Sequence, residues 1–77
     1  MGRSKGKEDL FVIFARPEQF KGSNHYYAAD GTVTSDRRKA EKFYFHEDAK
    51  HFASRMGIDL TGTIPYIGRE TFLKNEL

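Results

Sequence analysis

Three histidines, His25, His46 and His51, are the side chains best suited to hold a metal or move a proton. His46 and His51 sit about 140° apart around a helix and so do not share a face. No His, Asp and Glu spacing in the chain resembles a zinc site, and there is no cysteine to supply a thiolate ligand or nucleophile. Serines and threonines are present, but none lies in a Gly-x-Ser-x-Gly elbow that would strain and expose a hydroxyl. The acids Asp30, Asp36, Glu41, Glu47, Asp48, Asp59 and Glu70 fall mostly at expected turn, cap and first-turn positions. Gly2-x-x-x-Gly6-Lys7-Glu8 lacks the gap length, the preceding strand and the hydroxyl of a phosphate loop. A chain of 77 residues also struggles to enclose a substrate pocket. No catalytic residue, metal or cofactor is expected.

Binding is the chemistry left. Arg37-Arg38-Lys39 precede Lys42, which adjoins Phe43-Tyr44-Phe45, and His25-Tyr26-Tyr27 lies on an expected neighbouring strand. Cations next to aromatic faces can hold single-stranded nucleic acid, with phosphates on the charges and bases on the rings. Asp30, Asp36, Glu41, Glu47 and Asp48 lie in the same region and cancel most of that field. The whole chain carries 13 basic and 11 acidic residues, a formal charge of +2, with no strongly one-signed block. The rival reading is a protein-docking surface. Aromatic residues make up 14% of the chain, more than one helix on a small sheet should need. Phe11 and Ile13 on a bare sheet face, with Tyr26 and basic side chains at the rim, would form such a patch.

Residues 1–9 are polar and charged after the initiator and are expected to form a flexible, slightly basic tail. Residues 10–77 are expected to fold as one small domain. Residues 10–16 are rich in β-branched and aromatic types and stop at Pro17. Leu10, Val12 and Phe14 alternate with Phe11, Ile13 and Ala15, so both faces are apolar and a central strand is predicted. Residues 17–24 form a loop, with Phe20 folded back over an edge. Asp30-Gly31 between two β-prone runs predicts a two-residue hairpin turn with positive φ at both positions. Ser35 and Asp36 can cap a helical turn over 37–40, with continued strand an equal alternative. Residues 42–45 return to strand character.

Ala49, Phe52, Ala53 and Met56 make one apolar stripe, which predicts a helix over 47–56. Gly57 follows as the terminating residue and Ile58 closes the hydrophobic contact. Residues 63–67 suggest a strand, placed at an edge by Pro65, which cannot donate to a ladder. That open edge is a second candidate docking place. Residues 69–77 are compatible with a short last helix carrying Phe72 and Leu73.

The fold class that follows is α+β, a three- to four-stranded antiparallel sheet with one main helix on one face. Its expected core is Val12, Phe14, Tyr27, Val33, Phe43, Phe45, Ala49, Phe52, Ala53, Met56, Ile58, Ile64 and Tyr66. The longest apolar run, residues 10–15, is too short to span a membrane, and acids precede it where a signal peptide would not carry them. With no disulfide framework available, a cytoplasmic setting is expected.

The pattern Tyr26-Tyr27-x-x-Asp30-Gly31-x-x-Thr34-Ser35-Asp36-x-x-x-Ala40-x-x-Phe43-x-x-x-x-x-Ala49-x-x-Phe52-Ala53, followed by Gly57, resembles one seen in many small phage- and prophage-encoded accessory proteins. The resemblance covers the middle half of the chain. It implies a hairpin-plus-helix domain that binds and modulates a host protein, in the host cytoplasm, and carries over no functional residue. The expected function is therefore non-catalytic protein binding, with nucleic-acid binding as the alternative. The partner-contacting candidates are Phe11, Ile13, Tyr26, Tyr44, Arg37, Arg38, Lys39 and Lys42.

Overall fold

The structure, a computed structural model, describes residues 6–15 and 24–76. Most of the expected tail, the loop over 17–23 and Phe20 lie outside the described residues. The elements are strands β1 (Lys7–Phe14), β2 (Tyr26–Tyr27) and β3 (Val33–Thr34), helix α1 (His46–Met56), strand β4 (Tyr66–Leu73) and a 3-10 turn (Lys74–Glu76). The four strands form one antiparallel sheet in the order β3-β2-β1-β4, with the helix packed on it, an α+β fold.

β1 is central because both its faces are apolar and both must be covered. Along one side it pairs with β4 over its full length, from Lys7 opposite Leu73 to Phe14 opposite Tyr66. On the other side it meets β2 only at Phe14 opposite Tyr26, then the strands diverge. Residues 40–43 enter that fork. Ala40 bridges Ala28, Phe43 bridges Phe11, and Phe43 and Phe11 exchange backbone bonds of 2.9 and 2.8 Å.

The two faces of β1 feed two apolar layers. Ile13 packs with Ala49, Phe52 and Ala53 of α1, ringed by Tyr27, Phe43, Ile58, Leu60 and Ile67. Leu10, Val12 and Phe14 point the other way and join Tyr26, Ala40 and Phe72. Helix α1 carries Glu47 and Asp48 in its first turn and Arg55 in its last, matching the helix dipole. It stops at Gly57 in the left-handed conformation, with the Ile58 amide bonding back to Ala53 carbonyl oxygen at 2.8 Å.

Several expectations are corrected. β1 starts at Lys7, not Leu10, because residues 71–73 offer it a partner strand. Residues 69–73 are strand rather than helix, and Pro65 lies just before β4 instead of inside it. Residues 42–45 contribute only the bridge at Phe43. Residues 37–39 take the turn rather than the strand, held by Asp36, whose carboxylate accepts the Arg38 amide at 2.9 Å. Val12 and Phe14 are buried as expected, but in the layer with Tyr26, Ala40 and Phe72 and not beneath the helix. Val33, Phe45, Met56, Ile64 and Tyr66, all placed in the core from sequence, are exposed.

Candidate functional site

The apolar sheet face expected to stand bare is covered. Ile13 is 1% exposed and Tyr26 2% exposed, so neither can line a docking patch. Phe11 is half-buried, its ring edge-on to His46 at 5.5 Å and beneath the Arg69 guanidinium at 5.6 Å. Alternation along β1 puts Phe11 and Ile13 on the helix side, and the helix occupies that side.

Arg37 closes the other layer. Its guanidinium lies over the Phe72 ring, 4.6 Å from the centroid, and pairs with both Glu70 and Glu76. Nη2 also donates to the Thr71 carbonyl at 2.7 Å. Glu70 in turn accepts from the Tyr26 hydroxyl at 3.1 Å. The Arg37 hydrogen bond holds the Glu76 carboxyl below its ordinary value. Burial, and then the Glu70 charge, push the Tyr26 phenol up. A guanidinium with this many protein partners is a clamp and has little left for a phosphate. Lys42 is likewise engaged. Its Nζ donates to the Ala40 and Arg38 carbonyls at 2.8 and 3.2 Å and sits 5.1 Å from the Phe72 centroid. Partial burial lowers its affinity for the proton.

What remains open is a neighbouring surface. Arg38 and Lys39 are exposed, and among the described residues the ion pairs are those of Arg37 alone. With Leu10, Ala40, Glu41, Lys42 and Tyr44 they line a groove of about 320 Å³. Tyr44 is 65% exposed and Phe45 67%. Their exposure has a local cause: after the Phe43 bridge the chain bends over 44–45 to enter α1, and Phe45 stands at the helix N-cap with no side-chain bond to the first turn. The structure thus brings Arg38, Lys39, Lys42 and Tyr44 together, withdraws Arg37 and Tyr26 into the covered layer, and sends Phe11 and Ile13 to the opposite face. Phe45 was missed because a ring in an alternating run was assigned to the core. Glu70 and Glu76 were missed because only the tertiary fold brings them to Arg37.

Among the described residues no group of three or more His, Asp or Glu is placed to hold a metal ion, and no helix is long and apolar enough to cross a membrane. No family model, curated protein or solved structure matches the chain.

Proposed function

We propose that the protein is a non-catalytic binding module that docks another protein through the Tyr44–Phe45 corner, with Arg38 and Lys39 at its rim. The observation that carries this reading is the pair of adjacent rings, each about two-thirds exposed, where most other aromatic side chains among the described residues are sheltered. Aromatic anchors flanked by cations dominate protein interfaces because they bury large area at low entropic cost and select acidic partners. The finer reading, a phage-type modulator of a host protein, is supported by the hairpin-and-helix resemblance alone.

A second reading is favoured by the groove itself. Arg38, Lys39 and Tyr44 share it, which suits a short single-stranded nucleic acid.

The two separate in one set of measurements. If a protein docks there, Phe45→Ser removes a stoichiometric partner captured by the wild-type chain while the melting temperature holds. Mixed-sequence single- and double-stranded DNA and RNA then show no saturable binding at low salt. If nucleic acid is the ligand, an oligonucleotide binds, weakens steeply with added salt, and is lost in Arg38→Ala/Lys39→Ala. Phe45→Ser retaining the same partner would refute the protein reading.

A further inference from the structure

Among the described residues, the outer edge of β4 is half closed and half open. In an antiparallel ladder, residues alternate between those whose backbone bonds face the partner and those whose bonds face away. The Lys74 amide donates to the Gly6 carbonyl at 2.6 Å, which fixes the phase. Tyr66, Gly68, Glu70 and Phe72 therefore bond inward to β1, while Ile67, Arg69, Thr71 and Leu73 face outward. The outward set confirms that phase: the Thr71 carbonyl accepts from Arg37 at 2.7 Å, and the Leu73 amide donates to Glu76 at 2.9 Å. Natural edges are blunted to prevent unwanted pairing. Among the described residues the bonds that close this edge lie at its far end, at Thr71 and Leu73. Among the described residues nothing bonds the backbone of Ile67 or Arg69 on that side.

We propose that this open edge accepts an extended segment of a partner protein as a fifth, antiparallel strand. Ile67 and Arg69 project on the α1 side of the sheet, as Ile67 packs on the helix layer and Arg69 covers Phe11. Beside them runs a groove of about 230 Å³ lined by His46, Lys50, Leu60, Tyr66 and Ile67. Its border is apolar and cationic, and neither Lys50 nor Arg69 has an ion-pair partner among the described residues. An incoming strand would place an apolar side chain opposite Ile67 and an acidic one opposite Arg69, both on the groove side. Antiparallel direction puts the acid two residues before the apolar residue. The contact from Tyr66 to Glu70 is about 17 Å long.

A second copy of the chain fits this edge poorly. On the groove side β4 presents Ile67, Arg69, Thr71 and Leu73, with no acid among them. Self-pairing centred on Arg69 would set two arginines face to face, which is repulsive. The surface is distinct from the Tyr44–Phe45 corner, and its test does not depend on that reading.

The probe is a capped pentapeptide, Thr-Glu-Thr-Ile-Thr, titrated into the isotopically labelled full chain. Amide shifts should concentrate at 66–70, with slowed hydrogen exchange at Ile67 and Arg69. Replacing the peptide Glu by Lys should weaken binding about tenfold, and Arg69→Glu should reverse the preference. A peptide N-methylated at Glu and Ile, which removes the pairing donors and leaves the protein untouched, should not bind. Equal binding of the methylated peptide, shifts confined to Tyr44 and Phe45, or no peptide binding at millimolar concentration would each overturn the proposal. So would a free chain that is already dimeric, with the Ile67 and Arg69 amides protected.

Discussion

Gly68 shows how tightly single atoms are placed in the layer away from the helix. Phe14 stacks on Tyr66 with centroids 5.2 Å apart, and the Phe14 ring lies across the Gly68 backbone. A Cβ there would meet Phe14 Cε2 at 2.7 Å and Tyr66 Cε2 at 3.2 Å. Phe14 is buried and cannot swing aside without disturbing Tyr26, whose ring centroid is 5.4 Å away. Gly68→Ala should therefore destabilise by about 1–3 kcal/mol, the usual cost of overpacking, measured by denaturant titration. The Arg37 clamp makes a different prediction, in pH. Arg37 holds the Glu76 carboxyl low, so the folded state binds the proton less tightly than the unfolded one. Such a group contributes stability above its unfolded value of about 4.3 and loses it as pH falls through the depressed folded value. The melting-temperature advantage of wild type over Glu76→Gln should be constant from about pH 7 to 5 and close below about pH 4. An advantage unchanged in strong acid would show that the charge on Glu76 is not its source.

Among the elements, the hairpin shows where sequence patterning stops. Asp30-Gly31 marks the turn correctly, yet the loop has three residues and not two. The Gly31 amide bonds the Ala28 carbonyl at 2.9 Å, the Ala28 amide bonds the Thr32 carbonyl at 2.8 Å, and only Gly31 has positive φ, at 87°. Asp30 favours this form because its carboxylate accepts both the Thr32 amide at 3.1 Å and the Thr32 hydroxyl at 2.7 Å. The register shifts by one residue relative to a two-residue turn, to Tyr27 opposite Val33. Cross-strand partners share a face: Val33 lies on the helix side with Tyr27, but on the edge strand, where it is exposed, while Tyr26 is buried in the other layer. Gly31→Ala should cost about 1 kcal/mol for forcing a side chain into the left-handed region, and its Cβ would also approach Met56 Sδ at 3.4 Å. Urea midpoints of the two chains measure this; equal values would mean that the loop relaxes to another turn. Helix α1 was legible because its apolar stripe, acidic first turn and Gly57 stop are all local. β4 was not. Arg69, Glu70 and Thr71 carry no strand pattern of their own, and eight pairs with a strand more than fifty residues away decide their conformation.

For the molecule as a whole, the surplus of aromatic residues is answered mainly from within. The sheet is a shared wall with an apolar layer on each side, one roofed by α1 and the other by residues 37–42, whose Arg37 and Lys42 lie over Phe72. Rings beyond the needs of one helix imply a second apolar layer, but not whether a partner or the chain itself covers it. Here the cover includes a cation, since Arg37 shields Phe72 while satisfying Glu70 and Glu76. Both layers hang on consecutive residues of β1, with Val12 and Ile13 at 0% and 1% exposure on opposite faces. Neither layer can dissolve without stripping one side of the central strand, so the two should melt as one unit. Phe52→Ala in the helix layer and Phe72→Ala in the other should each cost about 3–5 kcal/mol, a large share of the ~4–11 kcal/mol typical for a chain this size. In each variant the helix signal in the far ultraviolet and the tyrosine signal in the near ultraviolet should fall in one coincident transition. A Phe72→Ala chain that lost its tyrosine signal first and kept its helix would show that the second layer is a detachable flap.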